Sequence, residues 1–143
     1  MLGLVVAIVL RRPRTFVLVV IAAAAADLAS TALKAATGVE RPAFRYPSPP
    51  PLMHVPHDGA FPSGHAATSF ACATVLSAAV SPSSRRWAAP LLYLLAAAIA
   101  FSRVYVGAHW VLDVVAGALL GVAIALLLLA ADRRRSGRPP RSG

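Results

Sequence analysis

Apolar residues in this chain come in long runs, without the alternating or three-to-four spacing of a half-buried element. Thr15–Leu33 is interrupted only by Asp27. A second run starts at Gly64 and ends near Val80, and a third covers Trp87–Ser102. The last begins near Trp110 and is uncharged from Val114 to Ala131. Each approaches the roughly 20 residues a helix needs to cross the hydrocarbon layer, so the pattern predicts four membrane-spanning helices. Pro90 falls in the first turn predicted for the third, where proline is tolerated. Leu2–Leu10 is apolar but too short to span, and reads as the tail of a truncated helix or an interfacial segment. It lacks the basic start and small-residue cleavage site of a signal peptide. Between the first two spans, Glu40–Pro62 carries seven prolines and cannot be helical over much of its length.

The expected fold is therefore all-α. It is an integral-membrane helical bundle of four full spans plus a short N-terminal helix over residues 1–132, then a disordered basic tail over 133–143. Composition supports lipid as the solvent: 58% of residues are hydrophobic, 13% are charged, and the mean hydropathy is +0.70. A chain of 143 residues leaves no room for a second domain. The net charge of +9 would suit nucleic acid only if the basic residues formed a face on a soluble fold. They cluster between apolar runs instead, which argues against a nucleic-acid partner.

With four spans, Arg11, Arg12, Arg14, Arg85, Arg86, Arg133, Arg134, Arg135, Arg138 and Arg141 fall on one side, and Lys34, Arg41, Arg45 and Arg103 on the other. The excess of arginine marks the first side as cytoplasmic, and the basic tail there suits anionic lipid head groups. The single Cys72 excludes an intramolecular disulfide and a thiolate metal cluster. Gly117 and Gly121 have the small-x-x-x-small spacing that lets helices approach closely.

The less basic side collects the chemistry. Lys34, Arg41, His65, Arg103, His109 and Asp113 come from four segments, each at or near a helix end at one depth. Cations and imidazoles gathered there form a site for an anion. Ser63-Gly64-His65 opens a helix, whose first N–H groups make a phosphate cradle. His109 and Asp113 are four apart on one helix face, so the carboxylate can orient the imidazole and fix its tautomer. No serine or cysteine stands ready to be activated, so the imidazole itself can attack phosphorus. No carboxylate cluster suited to Mg²⁺ lies on that face, and no cofactor is expected. His54, His57 and Arg45 read as solvated interfacial groups. Asp27 shares a helical face with Ser30, Thr31 and Lys34. A charge in mid-span usually has a partner, so its link to the site is open.

Lys34, six residues, Arg41-Pro42; then Pro62-Ser63-Gly64-His65; then Ser102-Arg103, five residues, His109, three residues, Asp113. This resembles the three-part signature of the type 2 phosphatidic acid phosphatase and vanadium haloperoxidase superfamily, with every position matched. The resemblance implies a membrane lipid phosphatase that works through a phosphohistidine without metal. His109 would be the nucleophile, Asp113 its orienting acid, and His65 the general acid and base. Lys34, Arg41, Ser63, Gly64 and Arg103 would bind the phosphoryl oxygens.

The expected substrates are phosphatidate, phosphatidylglycerol phosphate or a polyprenyl diphosphate, met on the extracytoplasmic face. The Ala-, Arg- and Pro-rich composition suggests a high-GC bacterial coding sequence, and the expected location is the bacterial plasma membrane. Membrane members typically carry six spans with the signature on the last four; here the first is absent and the second is reduced to Leu2–Leu10, which leaves open a fragment, a misplaced start or a minimal form that assembles as a homo-oligomer. A phosphotransferase of the same superfamily and an inactive membrane scaffold are the alternatives. The intact signature argues against the scaffold.

Overall fold

A computed structural model describes residues 12–46, 52 and 54–137, which form five helices and no strand. Helix α1 spans Pro13–Thr37, α2 is the single turn Pro42–Arg45, α3 spans Gly64–Ala79, α4 spans Pro82–Tyr105 and α5 spans Val111–Arg135. Leu2–Leu10, the prolines at 47 and 49–51, and Arg11, Arg138 and Arg141 lie outside the described residues.

Local chemistry sets the ends. Pro13 occupies the first turn of α1, where its missing N–H costs nothing. Gly38 closes that helix in the left-handed conformation (φ 58°), its N–H bonded to the Lys34 carbonyl at 3.1 Å. Ser81 caps α4 by accepting the Ser84 N–H, with Pro82 just inside. Pro90 therefore lies in the interior of α4, not in its first turn. The polar run Ser83–Arg86 forms the solvated opening turns of this helix, so the helix starts earlier than its apolar part. At the other end of the chain, Arg133–Arg135 belong to α5, contrary to the expected disorder from residue 133. Nothing breaks the helix before Ser136-Gly137, and cations are favourable at a helix C-terminus.

Among the described residues, three helices are long and apolar enough to cross a membrane: α1, α4 and α5. Four full spans were expected, and α3 is the one that does not reach this length. Its 16 residues make a rod of about 24 Å, short of the roughly 30 Å hydrocarbon thickness. It packs against all three of the others and holds the centre of the bundle.

The core is built from small residues: Ala22, Ala26, Ala67, Ala71 and Ala125 are fully buried, beside Val75. Large residues face outward instead, with Leu94, Leu119 and Leu127 each about 70% exposed. This inside-out arrangement fits lipid, where helices associate through close packing of small residues without a hydrophobic drive. Gly117 and Gly121 are what permit that packing. A Cβ on Gly121 would run into the Ala67 carbonyl, and one on Gly117 into the Ser63 carbonyl.

Part of the expected arginine cluster lies within the described residues. Arg12, Arg14, Arg85 and Arg133 line one cleft of about 540 Å³ at one end of the bundle, where Arg14 pairs with Asp132 at 2.8 Å. The opposite end holds the C-termini of α1 and α4, the N-termini of α3 and α5, and the long loop.

Candidate active site

His109 is presented by the short connection from α4 to α5. Gly107 turns the chain there with φ 73°. The Arg103 carbonyl accepts the N–H groups of Ala108 and His109 at 3.1 and 3.2 Å. The five-residue gap between Arg103 and His109 is thus the length of this closed turn. The His109 ring is 4% exposed, and Asp113, on the first turn of α5, is 2% exposed.

Arg41 reaches His109 from the other side. It precedes Pro42 in an extended conformation (φ −76°, ψ 149°), which the proline ring favours. All five N–H groups of its guanidinium are engaged. Nε donates to the Asp58 carbonyl at 3.1 Å. Nη1 donates to the Ala108 carbonyl at 2.9 Å and lies 3.1 Å from His109 Nε2. Nη2 donates to Asp58 Oδ1 at 2.6 Å and to the Gly59 carbonyl at 3.3 Å.

This contact assigns the tautomer. A guanidinium only donates, so the neutral His109 ring must offer its lone pair at Nε2 and carry its proton on Nδ1. Asp113 Oδ2 lies 3.5 Å from Nδ1. That is an ion-pair distance; Nδ1 makes no hydrogen bond, while the same oxygen accepts the Trp110 N–H at 2.8 Å. Apo sites often hold such pairs slightly apart before substrate closes them. Burial, then the charges of Arg41 and Lys34, lowers the His109 pKa from 6.5 to about 4, so the imidazole is neutral at physiological pH.

Lys34 stands in the last turn of α1, and its Nζ donates to Asp58 Oδ2 at 3.0 Å. Burial pushes the Asp58 pKa up, but hydrogen bonds from Arg41 and Lys34, with their charges, outweigh it and leave the group below the usual carboxylate range. Asp58 is held against α1 by its neighbours. A Cβ on Gly59 would lie 2.8 Å from the Lys34 carbonyl oxygen, and the Ala60 N–H bonds to the Val39 carbonyl at 2.7 Å.

The start of α3 completes the cluster. The Ser63 N–H donates to the Asp113 carbonyl at 2.9 Å, which sets α3 in register with α5. Ser63 itself is fully buried, and its hydroxyl accepts the Ala66 N–H at 3.5 Å. It therefore caps α3 here, while Gly64 is half-buried and His65 is exposed. Arg103, Lys34, Asp27 and Arg41 all lie within electrostatic range of the His65 ring. A Cβ on Gly64 would sit 3.7 Å from Asp27 Oδ1, so the mid-span acid does reach the base of the cluster. Arg103 is half-buried, with Nε bonded to Ser102 Oγ at 3.1 Å. His57 stacks on Phe44, ring centroids 4.7 Å apart.

The structure thus brings Lys34, Arg41, His109 and Asp113 into one connected set, with His65, Gly64 and Arg103 around it. The residue that reading the sequence missed is Asp58. Its signal was an acid in the loop just ahead of Pro62-Ser63-Gly64-His65.

Comparison with known proteins adds an independent line. A family model described as the PAP2 superfamily matches residues 15–136. The chain is 40% identical over 71 residues to the Escherichia coli (strain K12) protein YbjG, named a candidate undecaprenyl-diphosphatase; the match covers 50% of this chain and 34% of YbjG. It is 41% identical over 86 residues to the undecaprenyl-diphosphatase of Sulfolobus acidocaldarius, covering 59% of this chain and 39% of that protein. The chain therefore spans well under half the length of these curated relatives. Its fold matches the crystal structure of a transmembrane PAP2 type phosphatidylglycerolphosphate phosphatase from Bacillus subtilis. The TM-score is 0.74 at 24% identity, over 92% of this chain and 70% of that one.

Proposed function

Because the chain belongs to the PAP2 superfamily, we propose that it is a membrane phosphatase that hydrolyses a lipid phosphate ester or diphosphate through a phosphohistidine on His109. One observation carries the reading. A buried, neutral imidazole turns the lone pair of Nε2 toward the Arg41 guanidinium, 3.1 Å away, with Asp113 behind its Nδ1. A phosphoryl group drawn to Arg41 arrives at the nucleophile.

The steps follow from the positions. Lys34, Arg41 and Arg103 neutralise the phosphoryl oxygens, which is most of what phosphoryl transfer asks of a protein. Nε2 attacks phosphorus and the bond to the leaving oxygen breaks, while protonated His65 gives that oxygen its proton. Positive charge develops on the His109 ring and is met by Asp113 through Nδ1–H. His65, now neutral, takes a proton from water, and the hydroxide cleaves the P–N bond to release phosphate. None of these steps calls on a metal.

The names of the relatives support a substrate with a lipid tail, and the two undecaprenyl-diphosphatase names favour a polyprenyl diphosphate over phosphatidate or phosphatidylglycerol phosphate. Apolar helices around the site suit a tail that stays in the bilayer. The gathering of arginines at the far end supports a site on the extracytoplasmic face, with the C-terminus in the cytoplasm.

Phosphate release by the purified full chain in detergent with EDTA, from each of these three lipids, tests the reading with His109→Ala beside it. Release by the wild type and loss of at least about 10³-fold in the variant is expected. Equal release by both would remove His109 as nucleophile.

A further inference from the structure

Asp58 lies outside the signature, yet it sits among the signature's cations. One carboxylate serves both Arg41 and Lys34: Oδ1 is 2.6 Å from Arg41 Nη2 and Oδ2 is 3.0 Å from Lys34 Nζ. Two anionic oxygens bridging a guanidinium and an ammonium is the contact that two phosphoryl oxygens would make.

The partners of Arg41 sharpen this. With every N–H already bonded, a phosphoryl oxygen reaches the guanidinium only by replacing a partner. Three partners are the main-chain carbonyls of Asp58, Gly59 and Ala108, fixed with the backbone. The other two are the Asp58 carboxylate and His109 Nε2. Nε2 must be uncovered for attack, and Asp58 is the partner free to leave by side-chain rotation alone. Its side chain is 49% exposed, against 3% for Arg41. It also borders a cleft of about 480 Å³, lined in part by Glu40, Phe44 and His57, that gives the carboxylate somewhere to turn.

The geometry points to Asp58 as a positioning residue. With the site empty, its carboxylate holds Lys34 and Arg41 where two phosphoryl oxygens will bind, and the substrate displaces it. This rests on the phosphate-site reading above and extends it. Displacement has a direct consequence for affinity. Every phosphate species, substrate or product, must compete with a tethered carboxylate, so inorganic phosphate is returned to solvent more readily after each turnover.

The test uses the full chain in detergent with the lipid it hydrolyses. KM and kcat are measured, together with competitive inhibition by inorganic phosphate and by orthovanadate, for wild type, Asp58→Asn and Asp58→Glu. Removing the competing charge is expected to lower both inhibition constants about fivefold, the worth of a half-exposed ion pair. KM should fall by a similar factor without a rise in kcat, and Asp58→Glu should return the constants toward wild type. If Asp58 only anchors the loop, Asp58→Asn will leave the inhibition constants unchanged or raise them, and the proposal falls.

Should Asp58→Asn fail to fold, the unaltered chain gives the answer. Saturating orthovanadate should increase labelling of Asp58 by a water-soluble carbodiimide, and unchanged or reduced labelling would overturn the idea. Wild type untouched by either anion would overturn the phosphate site itself. Competitive inhibition of wild type without tightening in Asp58→Asn would overturn only the role of Asp58.

Discussion

Acidifying the substrate-free protein should leave the His109 imidazole neutral far below the pH at which an ordinary histidine takes up its proton. The ring is 4% exposed, faces the Arg41 guanidinium at 3.1 Å, and has a pKa lowered from 6.5 to about 4 by burial first and then by Arg41 and Lys34. At pH 5 a histidine titrating at its usual value would be about 97% protonated, whereas this one would be only about 10% protonated. The gap of about 2.5 pH units corresponds to about 3 kcal/mol. Its sign is fixed: the folded pKa lies below the unfolded one, so the unfolded chain takes the proton first. Stability from this group is complete above about 6.5 and is lost as pH falls from there toward about 4.

The assay is nitrogen-15 NMR of histidine-labelled protein in detergent, without substrate, because a phosphate ester ionises in the same range and would obscure a kinetic profile. The chain has four histidines, and loss of one signal in His109→Gln assigns the site. The expected spectrum shows Nδ1–H with unprotonated Nε2, and a midpoint near 4. Arg41→Gln should raise that midpoint but not restore 6.5, since burial, the larger cause, remains. A wild-type midpoint close to 6.5, or a proton on Nε2, would refute the reasoning.

Two other substitutions separate chemistry from packing. On the proposed mechanism, Asp113→Asn keeps the shape but removes the charge that would meet an imidazolium on His109, so kcat should fall roughly 10²- to 10⁴-fold with little change in melting temperature; wild-type turnover would show that the 3.5 Å contact has no catalytic use. Gly121→Ala drives a methyl into the Ala67 carbonyl and should destabilise the bundle by about 1–3 kcal/mol. An unchanged melting temperature would mean that the close approach of α3 and α5 is not required.

Long apolar runs made the helices legible, and the signature spacing singled out the candidate site residues, because both are written in the order of residues along the chain itself. Other features were hidden because they depend on what lies across the fold. Polar Ser83–Arg86 looks like loop until Ser81 is seen to cap the helix. Ser63 looks like an open ligand until its hydroxyl is seen turned to Ala66. Asp58 sits in a proline-rich loop whose path no periodicity reveals. It acquires meaning only when Gly59 lets the chain lie against the Lys34 carbonyl.

The shortness of α3 bears on how the site is built. Its 16 residues make about 24 Å of helix, against roughly 30 Å of hydrocarbon. At the site end Ser63 N–H meets the Asp113 carbonyl in the first turn of α5. The other end of α3 lies among the arginines. There Arg85 donates to the carbonyls of Ser77 and Ala78, and Arg12 to that of Ala79. A long, flexible cationic side chain can carry polar contacts inward. It also satisfies the last carbonyls and opposes the negative end of the helix dipole. The positive end of that dipole is thereby left at Gly64 and His65, beside Lys34 and Arg41. The arginine excess at one end thus also terminates the helix whose other end carries the candidate general acid.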